Sequence, residues 1–228
     1  MKYILCYGDS NTWGCEPVTD NRYEYADRWP GVLEAELGGG YHIYENAING
    51  RTTVFDDPIE EGRCGKAGFP TVLECSAPLD LIIIMLGTND CKKRFSLDPW
   101  DIGWGMDLLI QYVKRSTCGR DGGVPEILIA SPPEMGDDWS RTILGTVFGP
   151  EATRRAQALP AVYKEIALRN GVHFFRCGDA RESGHGLHSP DTREPSPVGQ
   201  GHRCQGGGNS RTIKRRRNTA PGCMAFNF

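Results

Sequence analysis

The sequence has no long hydrophobic run and no motif of a common cofactor-dependent enzyme. Its longest apolar segment is the run 81–86, far short of the about 20 residues that a membrane-spanning helix needs. No GxSxG elbow, P-loop or HExxH motif occurs, so the α/β-hydrolase, P-loop nucleotide and zinc-protease classes lack support. We also expect no signal peptide, because the chain opens directly into an apolar strand. These features predict a cytoplasmic protein with no membrane partner.

Metal-type and disulfide-type cysteine patterns are also missing. The nine cysteines form no CxxC pair, so we interpret them as reduced thiols. We expect neither a metal nor an organic cofactor. Histidine is scarce, with five in the whole chain. A length of 228 residues, 39% of them hydrophobic, is enough for one domain with one sizeable core.

Acidic residues are absent after Glu194. The segment 195–228 carries six basic side chains and no carboxylate, although the net charge of the whole chain is −3. This segment follows neither helical nor strand periodicity. We therefore predict a domain over 1–194, followed by a basic tail over 195–228 that is disordered or read in a shifted frame. The tail has no aromatic residues interleaved with its basic cluster, so we expect no nucleic-acid partner.

Short apolar runs alternate with helical patterns through the first three quarters of the chain. The runs predict five strands, at 3–7, 42–47, 81–86, 126–130 and 172–175. Helices are predicted at 29–37, 102–115 and 151–170, and a loop at 8–25. Strands that alternate with helices predict an α/β protein whose parallel sheet is covered on both faces.

Small polar residues follow two of these predicted strands. Gly8-Asp9-Ser10-Asn11 follows the first strand, and Gly87-Thr88-Asn89-Asp90 follows the third. The carboxyl ends of parallel strands form the edge at which ligands bind. A serine there can act as a nucleophile, and an asparagine can donate to an oxyanion. The pairing indicates acyl transfer, although Gly8-Asp9-Ser10 taken alone is more typical of a structural turn.

Three blocks in this order resemble the SGNH (GDSL-type) hydrolases. They are Gly8-Asp9-Ser10, Asn49-Gly50-Arg51-Thr52-Thr53 and Gly87-Thr88-Asn89-Asp90. The fuller segments 8–14, 27–33 and 78–90 are similar to the bacterial arylesterase and acyltransferase (perhydrolase) branch. The resemblance covers residues 2–175. It implies a three-layer α/β/α, flavodoxin-like fold with a parallel five-stranded sheet. It also implies a serine esterase of short-chain acetyl or aryl esters, with possible acyl transfer to alcohols or peroxide.

The resemblance also implies roles for individual residues. Ser10 matches the nucleophile, and its backbone N–H matches the first oxyanion donor. The backbone N–H of Gly50 matches the second donor, and the side-chain amide of Asn89 matches the third. Trp13 is expected either to line the acyl or aryl pocket or only to pack. Asp9 and Asp90 are expected to brace their turns, and Asp56 and Asp57 match no catalytic residue.

The branch implies a small-molecule ester as partner and a possible homo-oligomer. Many relatives in this branch oligomerise, so we expect a weakly held assembly larger than a monomer. The insertion 135–150 carries several apolar residues, and it is expected to form a lid or a subunit contact.

The family pattern fails at the general base. The family carries an Asp-x-x-His block, but here the matching stretch reads His185-Gly186-Leu187-His188. His188 therefore matches the base, and His185 stands where the orienting carboxylate is expected. Three interpretations stay open: a working esterase, an impaired remnant that only binds acylated ligands, or an interaction protein that acts through its basic tail. A reading-frame slip over 176–184, and another after 195, would explain both the altered block and the basic tail.

Overall fold

Five parallel strands form one sheet at the centre of the molecule. This computed structural model describes residues 1–16, 19–135 and 142–178. The strands are β1 (Lys2–Gly8), β2 (Tyr41–Ala47), β3 (Leu81–Met85), β4 (Glu126–Ser131) and β5 (His173–Arg176). Their order is β2-β1-β3-β4-β5, and every neighbouring pair is parallel. The predicted five-stranded parallel sheet is confirmed, with each strand end within two residues of its predicted place.

Helices cover both faces of the sheet. They are α1 (Ser10–Trp13), α2 (Trp29–Leu37), α3 (Gly65–Ser76), α4 (Pro99–Arg115), α5 (Ile143–Phe148) and α6 (Ala152–Asn170). Within the described residues, no helix is long and apolar enough to cross a bilayer.

Alternate residues of the central strands face opposite layers. One face packs against α3, α4 and α6, and the other packs against α2. In β1 and β3 the first face holds Leu5, Tyr7, Ile82 and Ile84, and the second holds Ile4, Cys6, Ile83 and Met85. Burial on both faces explains why these strands read as continuous apolar runs. The predicted three-layer α/β/α architecture is confirmed.

Helix α4 begins three residues before its predicted start. The Asp98 carboxylate accepts hydrogen bonds from the backbone N–H of Trp100 at 2.7 Å and of Asp101 at 3.1 Å. Pro99 occupies the first turn, where its missing N–H costs nothing. The apolar stripe of the helix is fully buried, at Ile102, Met106, Leu109, Ile110 and Val113.

Three helices, α1, α3 and α5, were not predicted from the sequence. Helix α5 lies in the insertion 135–150, for which only a lid or a subunit contact was expected. The loop prediction over 8–25 is wrong at α1, because Asp9 caps a single helical turn there. Helix α3 escapes prediction because Gly65, Gly68 and Pro70 interrupt its pattern. Its buried residues Phe69 and Leu73, four positions apart, are the signal that could have revealed it.

Candidate functional site

The sheet register brings the three sequence blocks to one edge. Gly8, the last residue of β1, pairs with Ala47 of β2 and with Met85 of β3. Ser10, Gly50 and Asn89 follow these aligned strand ends by two to four residues. Since all three strands run parallel, the three residues lie at the same carboxyl edge. The structure therefore brings to one edge the three residues that were predicted as nucleophile and oxyanion donors.

A tight turn presents Ser10 at the start of α1. A Cβ on Gly8 would clash with the Thr12 hydroxyl and come within 3.0 Å of the Met85 carbonyl oxygen, so only glycine fits. Asp9 then caps the helix, accepting hydrogen bonds from the backbone N–H (2.9 Å) and side-chain amide (3.1 Å) of Asn11. The cap fixes the first turn of α1, and with it the direction of the half-buried Ser10 side chain.

Gly50 adopts a conformation that favours glycine. Its φ is +83°, in the left-handed region, and a Cβ there would lie 2.6 Å from the Glu60 Oε2 atom. Two hydrogen bonds hold the backbone of the next residue, Arg51. The Arg51 N–H donates to the Ile48 carbonyl at 3.3 Å, and the Arg51 carbonyl accepts from the Asn89 amide. These contacts set the orientation of the loop that carries the Gly50 N–H.

The Asn89 side chain is buried and joins all three blocks. Its Nδ2 donates to the Arg51 carbonyl at 3.1 Å and to the Asp9 carboxylate at 3.4 Å. An oxyanion in this site would accept a hydrogen bond from the Asn89 amide in place of one of these two acceptors. The bond to Asp9 is the longer one, so it is the easier one to replace. The position of the amide is thus fixed by the two segments with which it would act.

Two buried carboxyls brace the site, as the sequence predicts. Asp90 accepts hydrogen bonds from the Thr53 N–H at 3.0 Å and from the Thr53 hydroxyl at 2.5 Å. Burial raises the pKa of Asp90 to about 6, opposed by these bonds. Burial likewise raises the pKa of Asp9 to about 6, opposed by the hydrogen bonds from Asn11. Neither carboxyl is exposed to solvent.

Arg51 is a site residue to which the sequence interpretation gave no role. Its guanidinium carbon stands 4.2 Å from the centroid of the Tyr7 ring. The guanidinium donates to the carbonyls of Gly8 at 3.0 Å and Asn46 at 2.9 Å, so it ties the ends of β1 and β2 together. Burial lowers the pKa of this group. No sequence signal short of the tertiary contacts could have assigned this role.

An ion cluster, buried at Asp57 and Lys92 and half-buried at Glu60 and Arg94, lies beside the site and was also missed. We use this name for Asp57, Glu60, Lys92 and Arg94. Arg94 Nη2 lies 2.6 Å from both Asp57 Oδ2 and Glu60 Oε1, and Lys92 Nζ lies 2.7 Å from Glu60 Oε1. Burial opposes ionisation of Asp57, but the hydrogen bonds from Arg94 and two backbone amides outweigh it and lower the pKa to about 2.

Trp13 ends α1, one helical turn after Ser10, and its side chain is half-buried. The Arg22 guanidinium carbon lies 5.0 Å from the Trp13 ring centroid, and Arg22 Nε donates to the Trp13 carbonyl at 2.8 Å. Arg22 in turn pairs with Glu45 at 2.6 Å. These contacts hold the ring at the end of the short helix that begins at Ser10. They are compatible with both expectations for Trp13, a pocket wall and a packing residue.

The two described histidines lie far from Ser10. His42 pairs in register with Tyr3, so it stands near the amino-terminal edge of the sheet. His173 is level with Cys6 through Leu128 and Ile83, but it lies on β5, three strands and about 14 Å across the sheet from β1. At about 3.3 Å per strand residue, His42 is roughly 16 Å from the carboxyl edge. Neither can serve as the base. His188, His185 and the tail over 195–228 lie outside the residues that the structure describes.

Comparison with known families decides between the possible classes. The model of the GDSL-like Lipase/Acylhydrolase family matches residues 6–201. The chain belongs to this family. Among curated protein sequences, the comparison gives no match. The predicted family, fold and class of carboxylic ester hydrolase are thereby confirmed for this acylhydrolase.

Solved structures of similar acylhydrolases agree. Est24, a carbohydrate acetylesterase from Sinorhizobium meliloti, is 38% identical with a TM-score of 0.72, over 78% of this chain and 85% of that chain. The inhibitor-bound aryl esterase of M. smegmatis is 36% identical with a TM-score of 0.73, over the same shares. AlinE4, an SGNH-hydrolase family esterase, is 21% identical with a TM-score of 0.51, and this likeness concerns the fold alone.

Proposed function

We propose that this acylhydrolase cleaves short-chain carboxylic esters, acetyl and aryl esters among them, through an acyl-serine intermediate. The observation that carries the proposal is the common sheet edge of Ser10, Gly50 and Asn89, set by the pairing of β1 with β2 and β3. The names of two similar structures, a carbohydrate acetylesterase and an aryl esterase, support acetyl and aryl esters as the substrate class.

In the first step, the Ser10 Oγ attacks the ester carbonyl carbon and its proton passes to a general base. We assign the base to His188, on the family pattern. The carbonyl oxygen becomes an oxyanion, which accepts hydrogen bonds from the N–H groups of Ser10 and Gly50 and from the Asn89 amide. Such preorganised donors are worth about 10²–10³-fold in rate each.

Collapse of the tetrahedral intermediate breaks the ester C–O bond. The leaving alcohol takes the proton from the base, and an acyl group stays on Ser10. Water then attacks the acyl carbon, gives its proton to the base, and releases the acid while the proton returns to Ser10. An alcohol or hydrogen peroxide in place of water would give an ester or a peracid, which is the acyl-transfer activity that we add to the proposal.

The test is hydrolysis of p-nitrophenyl acetate by the full chain and by Ser10→Ala. We expect activity in the full chain and its loss in the variant, without a change in the melting temperature. Equal rates for the two folded proteins would reject the serine mechanism. A fully inactive wild-type chain that still folds would instead support a remnant, which the missing Asp-x-x-His carboxylate favours.

The location and assembly of the protein are also proposals. Six described cysteines, at positions 6, 15, 64, 75, 91 and 118, are free thiols, which supports the reducing cytoplasm as its compartment. The exposed Ile143 and Leu144 on α5 support a weak homo-oligomer. Trp13, close to Ser10 and held by Arg22, is proposed as a wall of the acyl or aryl pocket.

A further inference from the structure

The ion cluster joins the two loops that carry oxyanion donors. Asp57 and Glu60 belong to the loop after Gly50, whereas Lys92 and Arg94 follow Asn89. Lys92 Nζ lies 2.7 Å from Glu60 Oε1 and 3.4 Å from Asp57 Oδ2. Because these contacts cross between the loops, the cluster limits how far the second and third donors can move apart.

Glu60 connects the cluster directly to Gly50. Its Oε1 atom binds Lys92 and Arg94, at 2.7 and 2.6 Å. Its Oε2 atom lies against the Gly50 α-carbon, 2.6 Å from where a Cβ would stand. The Glu60 carboxylate therefore lies between the two loops. One oxygen is bound by Lys92 and Arg94, and the other packs against Gly50.

Lys92 contacts both donor loops at once. Its backbone N–H donates to the Asn89 carbonyl at 3.2 Å, which closes the short turn that holds Asn89. Its side chain is only 4% exposed, against 18% for Arg94, so its ammonium is held in a site with little water. Removing one member of a buried ion group leaves its partners uncompensated, so the geometry responds strongly to this residue.

We propose that Lys92 is a positioning residue of the oxyanion hole, which acts by holding Glu60 against Gly50. It touches no reacting atom, and it sets the distance between the Gly50 N–H and the Asn89 amide. The inference rests on the proposed esterase activity. A displacement near 1 Å in such a site lowers the rate by about 10²-fold.

Two variants with matched controls test this role. Lys92→Met removes the buried ammonium, and Lys93→Met removes an exposed one from the neighbouring position. Glu60→Ala removes the carboxylate that packs against Gly50, and Glu61→Ala removes the exposed carboxylate of the next residue. Because Glu60 is 38% exposed, we expect its truncation to leave a folded protein even if Lys92→Met does not.

We expect Lys92→Met and Glu60→Ala to lower kcat for p-nitrophenyl acetate by about 10- to 10²-fold. KM should change by less than about twofold, because the interaction matters only when the oxyanion forms. The two control variants should keep the wild-type kcat. A wild-type kcat in folded Glu60→Ala, or a change in KM alone, would overturn the proposal.

Hydrogen exchange of the amides of residues 50–53 tests the positioning role of Lys92 and Glu60 without depending on esterase activity. The Thr52 N–H is bound to the Arg63 carbonyl at 2.9 Å, and the Thr53 N–H is bound to Asp90. We expect these amides to exchange faster in Glu60→Ala than in Glu61→Ala. If the wild-type chain is inactive, the proposed function fails but this comparison still decides the positioning role. Equal exchange in the two variants would overturn it.

Discussion

The side-chain amide of Asn89 donates to the main-chain carbonyl of Arg51 across 3.1 Å. The third proposed oxyanion donor therefore holds the residue that directly follows the second. A shift of either loop moves both residues, so the proposed oxyanion hole would respond as one unit. The same unit includes Asp9, because the Asn89 amide also donates a hydrogen bond to the Asp9 carboxylate.

Truncation of Asn89 tests this unit most directly. Asn89→Ala removes one oxyanion donor, and we expect kcat for p-nitrophenyl acetate to fall about 10²–10³-fold. It also removes the bond to Arg51, so stability should fall by about 1 kcal/mol, as for one hydrogen bond. Steady-state kinetics and thermal melting measure the two effects. A kcat within a few-fold of wild type would contradict the role.

Gly50→Ala should lower both stability and activity. The left-handed φ of +83° disfavours alanine by about 1 kcal/mol or more, and the new Cβ would press on Glu60. Each kcal/mol lowers the melting temperature by about 2–4 °C in a protein of this size. Gly39→Ala is the control, since a Cβ there meets nothing within 4 Å. Equal melting temperatures and equal kcat for the two variants would exclude the effect.

The buried carboxyl of Asp9 should make stability depend on pH in an unusual direction. Its pKa is raised to about 6 in the folded protein, so between pH about 4 and 6 the folded state binds more protons than the unfolded state. This contribution to stability is present at low pH and is lost as pH rises towards 6. The raised pKa of Asp90 acts in the same direction.

Asp9→Asn isolates this contribution, because asparagine also caps a helix. We expect the stability of wild type relative to this variant to fall on the order of 1–3 kcal/mol between pH 4.5 and 7.5. Denaturant unfolding at the two pH values provides the measurement, with the exposed Asp121→Asn as control. A constant difference between wild type and Asp9→Asn would refute the buried titration.

The identity of the base can be tested without a substrate. A fluorophosphonate probe labels an activated serine, so we expect labelling of the full chain to disappear in Ser10→Ala and His188→Ala. His185→Ala and His202→Ala serve as matched controls and should keep it. Undiminished labelling of His188→Ala would show that another group takes the Ser10 proton.

The exposed residues of α5 predict self-association. Ile143 is 76% exposed and Leu144 is 47% exposed, although both are large and apolar. We expect light scattering at micromolar concentration to show a species larger than a monomer, and Ile143→Asp to reduce its mass. Leu168→Asp changes an equally exposed leucine on α6, and it should leave the mass unchanged. A wild-type monomer would rule out the assembly.

The sheet and its functional edge could be predicted because their determinants are local. The apolar runs of β1 and β3 are buried on both faces, and each is followed at once by a polar turn. The strand order β2-β1-β3-β4-β5 is that of the flavodoxin-like fold that the family resemblance implied. The meeting of Ser10 with Asn89 follows because β1 and β3 run parallel and end at the same edge. The family resemblance supplied Gly50, whose N–H carries no side-chain signal of its own.

The remainder of the site depends on contacts between distant residues. Asp57 reads as an ordinary loop carboxylate until the fold places Arg94 beside it, and Arg51 has no visible partner until β1 and β2 are adjacent. The helix α3 is held by the burial of Phe69 and Leu73 rather than by propensity, so its glycines and proline concealed it.

The register of Gly8 with Ala47 and Met85 also affects how the protein acquires its activity during folding. No single hairpin or helix contains the site, so it cannot form early from local structure. It is complete only when three strands remote in sequence have docked, a late event for a chain of high contact order. The appearance of a reactive Ser10 during refolding would therefore report when β1, β2 and β3 have docked.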